Sequence, residues 1–137
     1  MNKLVFIVED NLAQQKMLQV HFEEMLGNYQ VKTFTDPEDL VGHLNEKPFA
    51  IVLDHFFAAG TKTGLHYLKE LKKSHSSIPV IYYTTSDDEA IRSEAVKLGV
   101  VQYILKDSAS LVRLRTALDE LEIRQSKKGF LQKIFGK

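Results

Sequence analysis

Apolar residues along this chain follow two rhythms. Short runs of five or six residues, rich in β-branched and aromatic side chains, recur at "KLVFIV" (3–8), "QVKTF" (30–34), "AIVLD" (50–54), "VIYYT" (80–84) and "VVQYIL" (100–105). Most are nearly continuous in apolar character, as strands buried on both faces of a parallel sheet must be. The second run carries Lys32 and predicts an edge strand. Between the runs, apolar residues fall three and four apart. Leu111, Leu114, Leu118 and Leu121 are the clearest set, and that spacing puts them on one face of a helix. Start signals support the helices: Asp36 before Pro37 reads as an N-cap with a first-turn proline, Ser86 with Glu89 as a capping box, and Asn11 with Gln14 as a weaker version. Five β units, each followed by a helix, predict an open α/β sandwich with helices on both faces and right-handed crossovers.

Composition narrows the setting. A chain of 137 residues with 44% hydrophobic content fits one compact domain. The absence of cysteine excludes a disulfide framework and a thiolate metal site, and it suits a reducing compartment. The opening "MNKLVFIVED" is too short in its apolar part for a signal peptide or a membrane span, so a soluble cytoplasmic protein is expected. Net charge is formally zero but uneven. The last eleven residues, "KKGFLQKIFGK", hold four Lys and no acid, which leaves the first 126 with an excess of four acids. An acidic body argues against a nucleic-acid surface. The composition breaks at about Ser126, dividing a domain of residues 1–126 from a basic tail of residues 127–137.

The run "AIVLDHFF" places a carboxylate, Asp54, inside an apolar stretch. Burying it without a partner would cost several kcal/mol, so it belongs at an edge or beside a compensating group. In doubly wound sheets, ligands bind outside the carboxyl ends of the strands, near the point where strand order reverses. The first run ends in Glu9 and Asp10, the third in Asp54, the fourth in Thr84, Thr85 and Ser86, and the fifth leads through Tyr103 to Lys106. Three carboxylates, a hydroxyl cluster and an ammonium are therefore expected at one edge, where the acids repel one another without a cation. Mg²⁺ meets that need with oxygen ligands and a phosphate. Lys106 and Thr84 can then meet phosphoryl oxygens, and Asp54 is placed as a nucleophile whose attack on phosphorus gives an aspartyl phosphate.

On these residues the chain resembles a response-regulator receiver domain of two-component signalling, of the single-domain, chemotaxis-regulator type. The matching pieces are "FIVEDN" for the acid pair, "IVLD" for the phosphoacceptor, "PVIYYTT" for the switch threonine and "YILKD" for the switch aromatic and lysine. They occur in order across residues 1 to about 124. The resemblance implies a flavodoxin-like (βα)5 three-layer sandwich whose five-stranded parallel sheet has the order 2-1-3-4-5. It also implies phosphorylation of Asp54, direct ligation of Mg²⁺ by Asp10 and Asp54, participation of Glu9 through a metal-bound water, and a backbone carbonyl ligand from Phe56. Thr84 and Tyr103 would relay phosphorylation to the face formed by the fourth helix, fifth strand and fifth helix. The expected partners are a histidine kinase or histidine phosphotransfer protein and a downstream protein target, with homodimerisation a further expectation. Outside the domain the chain leaves no room for an output module, so a stand-alone switch that signals by binding is expected.

The chain also departs from the family pattern. The usual Met-Pro after the phosphoacceptor is missing, and in "DHFFAAGTKTG" the expected glycine arrives two residues late, at Gly64, predicting a longer, reshaped loop. Phe56 and Ser86 occupy the positions that tune water access to the acyl phosphate, and neither orients water well, so slow autodephosphorylation is expected. Asp107 follows Lys106 where proline is common, which predicts a trans peptide. By strand alternation His55 points away from the pocket into a structural role. His21, His43, His66 and His75 lack metal-ligand spacing. In the tail, Phe130, Leu131, Ile134 and Phe135 fall at helical spacing among lysines, as a short amphipathic helix for weak docking on an anionic membrane or in a partner groove would require, although packing on its own domain fits as well. A haloacid-dehalogenase-type phosphatase needs a second acid where Phe56 stands. A flavin or dinucleotide module needs a phosphate loop where "VEDNLAQQ" supplies acids. The main rival is a pseudo-receiver, an interaction module that works without phosphorylation.

Overall fold

The structure is a computed structural model in which residues 2–58 and 60–136 are described. Strands β1 (Lys3–Val8), β2 (Tyr29–Phe34), β3 (Ala50–Leu53), β4 (Val80–Thr84) and β5 (Gln102–Leu105) form one parallel sheet in the order β2-β1-β3-β4-β5. Each predicted strand is present. The third ends at Leu53, leaving Asp54 just outside it, and the fifth starts at Gln102 rather than at residue 100.

The helices are α1 (Leu12–Val20), α2 (Gly64–Ser74), α3 (Glu89–Lys97) and α4 (Ser110–Phe135), with a 3-10 helix (Pro37–Glu46) between β2 and β3. Helix α1 runs on as a π-helical segment, His21–Leu26. That segment turns Glu23 toward the sheet, where its carboxylate accepts from the Val31 N–H at 2.8 Å and occupies a donor on the open edge of β2.

Side-chain alternation along the strands builds two cores. Val5 and Ile7 of β1, Val52 of β3 and Ile81 of β4 pack with Leu18, Phe22, Leu114 and Leu118 beneath α1 and α4. Phe6, Val8, Ile51, Leu53 and Tyr82 face the other way, against Leu40, Leu44, Leu68 and Ala95 of the 3-10 helix, α2 and α3. Each fully buried aliphatic or aromatic side chain contributes about 1.5–3 kcal/mol, so a core on both faces fixes the register firmly.

Asn11 and Asp36 cap as expected, accepting from the N–H groups of Gln14 and Glu38, with Pro37 in the first turn. The predicted capping box at Ser86 and Glu89 does not form. Asp88 is the N-cap of α3 and accepts from Ala90 and Ile91, because its carboxylate lies nearer the first free N–H groups, while the Ser86 hydroxyl is taken by the Asp88 N–H. Helix α4 is 26 residues long and passes through Ser126 without a break. The Tyr29 hydroxyl donates to Glu122 at 2.5 Å and ties its middle to the sheet.

Candidate functional site

The parallel register aligns the ends of the strands. Val8 pairs with Leu53, Leu53 with Tyr82 and Thr84 with Leu105, so the residues that follow them, Glu9, Asp54 and Lys106, emerge together at the carboxyl edge between β1, β3 and β5. Lys106 reaches across that edge. Its ammonium donates to Asp54 Oδ2 at 2.8 Å and to Glu9 Oε1. Glu9 and Asp54 are both buried, and Lys106 is nearly so.

Two acids share one cation here, and the titration of the groups reflects it. Burial raises the Glu9 carboxyl above its ordinary value, the Lys106 ammonium and the Asn11 N–H oppose the rise, and the negative Asp54 adds to it. Burial works against the charge on Lys106, but its hydrogen bonds to Asp54 and Glu9 outweigh that and raise its pKa. Lys106 holding its proton more tightly between two carboxylates marks a site where one cation faces two acids.

The remaining site residues are held by backbone and neighbouring side chains. The Asp54 Oδ1 atom accepts from the His55 N–H at 2.6 Å. The imidazole of His55, beyond the end of β3, is buried, and its Nδ1 lies 2.6 Å from the Tyr82 hydroxyl; burial lowers its pKa. Thr84 ends β4 fully buried, with its hydroxyl accepting from the Ser86 N–H at 3.3 Å. Tyr103 lies on β5 with its ring stacked on Tyr82, its hydroxyl donating to the Ser86 carbonyl at 2.7 Å, and the Arg92 guanidinium 4.5 Å from its ring centroid. The Phe56 side chain is exposed in the loop that follows Asp54. The Lys106–Asp107 peptide is trans.

Asp10 departs from the expected convergence. Its Oδ2 accepts from the Ala58 N–H at 2.6 Å, so the lengthened loop after β3 has closed onto it. Among the described residues no three acid or histidine side chains are gathered around a common point. The cause is competition: Lys106 draws Glu9 and Asp54 together while a backbone donor draws Asp10 aside. In kind, the donor set still fits a small hard dication, because it offers only carboxylate and carbonyl oxygens and carries more negative charge than Lys106 neutralises.

Sequence reasoning missed three supporting groups. The Gln15 amide, buried on α1, donates to the Glu9 carbonyl and to the Thr35 hydroxyl at 2.9 Å, holding the end of β1 in place. Its position on the first turn after the acid pair was the available signal. Tyr82 fixes His55, and the Ala58 N–H holds Asp10 through a loop with no sequence signature.

Residues 5–119 match the family model for the response regulator receiver domain, and the chain belongs to that family. It is 26% identical over 131 residues to the cyclic di-GMP phosphodiesterase response regulator RpfG of Xanthomonas campestris pv. campestris (strain 8004), covering 94% of this chain and 34% of RpfG. It is 30% identical over 112 residues to the transcriptional regulatory protein YdfI of Bacillus subtilis (strain 168), covering 80% of this chain and 50% of YdfI. The chain thus spans between a third and a half of the length of these curated relatives. Among solved structures, the phosphorylated cyanobacterial phytochrome response regulator RcpA superposes with a TM-score of 0.72 at 26% identity, covering 89% of this chain and 92% of that one. The sheet order and the helices on both faces are those of the flavodoxin-like receiver fold. No helix among the described residues is long and apolar enough to cross a membrane.

Proposed function

We propose that the chain is a phosphorylation switch of two-component phosphorelay signalling in which Asp54 accepts a phosphoryl group from a histidine kinase or histidine phosphotransfer protein. The observation that carries this reading is the Lys106 ammonium bridging the buried Asp54 and Glu9 at the carboxyl edge of the sheet, with Thr84 ending the neighbouring strand. An Asp54 oxygen attacks phosphorus in line, the P–O bond forms as the bond to the donor's histidine nitrogen breaks, and the nitrogen leaves with the electron pair. Lys106 meets the charge that appears on the transferred group, and the Thr84 hydroxyl donates to one of its oxygens. Asp10 and Asp54, with the Phe56 carbonyl and Glu9 through a water, would hold Mg²⁺, which supplies charge neutralisation for the incoming phosphoryl group. Thr84 and Tyr103 pass the change to the face made by α3, β5 and α4, where a downstream protein or a second copy docks. The chain then acts on no substrate beyond its own acyl phosphate. A bulky apolar Phe56 and a small Ser86 hydroxyl orient water poorly toward that bond, so the phosphorylated form decays slowly.

The bond between Asp10 and Ala58 favours one alternative, the pseudo-receiver, since it occupies an acid that the metal would need. Intact mass after incubation with acetyl phosphate separates the two. A gain of one phosphoryl group by the wild type, only with Mg²⁺ and not by Asp54→Asn, is expected. No gain where a control receiver is labelled would establish the interaction module instead.

A further inference from the structure

The acidic domain ends in a helix that changes partner halfway along. In the first part of α4, Leu114, Ala117, Leu118 and Leu121 are buried against the sheet. Beyond Glu122 no residue of the helix is buried, yet the apolar side chains continue: Ile123 is 67% exposed, Phe130 60%, Ile134 54% and Phe135 79%, and Leu131 is exposed beside them. At 3.6 residues per turn, Ile123, Phe130 and Ile134 stack on nearly the opposite side of the helix from Leu114, Leu118 and Leu121. A straight helix therefore cannot fold this second stripe back onto its own domain.

Charge identifies what the stripe faces. From Ile123 onward the sequence has no acid, and Arg124, Lys127, Lys128 and Lys133 lie among the apolar residues. The two kinds are separated along the axis as well. Arg124, Lys127 and Lys128 form a collar one turn before Phe130, Leu131, Ile134 and Phe135, on the same side of the helix. The reverse side carries the neutral Gln125, Gly129, Gln132 and Gly136, with Lys133 at its margin. Packing two copies of this face in parallel would set collar against collar. A surface with negative charge outside and hydrocarbon beneath matches both halves at once.

We infer that residues 123–136 form an amphipathic foot that docks on an anionic lipid bilayer, with the basic collar among the headgroups and Phe130, Leu131, Ile134 and Phe135 entering the acyl boundary. The foot does not span the bilayer; about four turns of helix lie in or obliquely to its surface. Docking is reversible, because a short helix offers limited apolar area. It places the receiver at the membrane whatever the state of Asp54.

The test is flotation of the full chain with vesicles of equal parts phosphatidylglycerol and phosphatidylcholine, against vesicles of phosphatidylcholine alone. Binding to the anionic vesicles that weakens with salt is expected. Lys127→Gln with Lys128→Gln should weaken it by roughly 30-fold, at about one headgroup-level charge each. Phe130→Gln with Ile134→Gln should weaken it by about 100-fold, through loss of two buried side chains. All four residues are exposed, so circular dichroism should show both variants folded. No binding by the wild type, or binding that neither double variant weakens, overturns the proposal. So does a sedimentation profile in which the wild type is a dimer that does not float and the Phe130→Gln, Ile134→Gln variant is a monomer, which would make a second copy the occupant.

Discussion

A methyl group added at Gly64 has no free space to enter. A Cβ built there would lie 2.1 Å from the Asp54 carbonyl oxygen and 2.6 Å from the Tyr82 hydroxyl. Neither neighbour yields easily. The first is backbone, and the second is a fully buried tyrosine already bonded to His55. The φ of Gly64 lies outside the left-handed region, so the demand for glycine is spatial and not conformational. Overpacking of this kind costs about 1–3 kcal/mol, and the stiffer unfolded chain of an alanine variant offsets about 0.4–1 kcal/mol of it. Gly64→Ala should therefore be destabilised by roughly 1–2 kcal/mol, a fall in Tm of about 3–8 °C. It should also phosphorylate more slowly, by up to about 100-fold, because the displaced carbonyl belongs to Asp54, the proposed acceptor. Gly42→Ala is the matched control. No atom lies within 4 Å of its added Cβ, so only the favourable entropy remains, and a gain of about 0.4–1 kcal/mol is expected. Thermal melts of both variants, with intact-mass time courses, supply the comparison. Equal stability of Gly64→Ala and Gly42→Ala would refute the spatial reading and with it the close packing of α2 against Asp54.

Two further outcomes follow from charge and burial. Lys106→Met leaves two buried carboxylates without a cation, and denaturation at neutral pH should show a loss of about 3–5 kcal/mol together with loss of phosphorylation. Glu9 already has a raised pKa, so its folded form binds protons more readily than the unfolded chain; stability in this variant should recover as pH falls toward the ordinary Glu value of 4.5, and a variant whose deficit is the same at every pH would contradict this. His21 and His55 run the other way. Burial lowers both pKa values, so the stability that comes from keeping them neutral is present above about 6.5 and is lost as pH falls through and below that value. Among the described residues neither ring nitrogen of His21 has a partner, so His21→Leu should gain up to about 1 kcal/mol at neutral pH and flatten the acid side of the stability profile, as read from urea midpoints at several pH values.

What the sequence failed to show has a common physical cause: each missed feature depends on groups distant in the chain or on close competition between neighbours. Ser86 and Asp88 both offer a capping oxygen before α3, and a shift of two residues decided between them. The π-helical turn at His21–Leu26 follows from where Glu23 meets Val31, a contact across eight residues that no local pattern encodes. The same holds for Asp10, which meets Ala58 over 48 positions through a loop of unusual length. The break in composition at Ser126 was real but did not end the helix, since Gln, Lys and Phe are all acceptable on an exposed helix surface.

The pocket itself was legible because it is a consequence of register. Glu9, Asp54 and Lys106 each follow the last residue of a strand, and in a parallel sheet the ends of paired strands fall on one line. Slipping a central strand by one residue would exchange its two apolar sets between the cores and turn its pocket residue to the other face. The apolar runs that predict the sheet therefore also fix which side chains meet at its edge. The loop that follows β3 has no such repeating constraint; bonds from Gly64 to His55 and from Ala58 to Asp10, with the packing of Phe57 on the core, hold its described residues. Substitutions consequently divide by where they act. Those of core-facing apolar strand residues change how much folded protein exists, whereas those at exposed loop positions such as Phe56 leave stability near the wild-type value and change the pocket's surroundings.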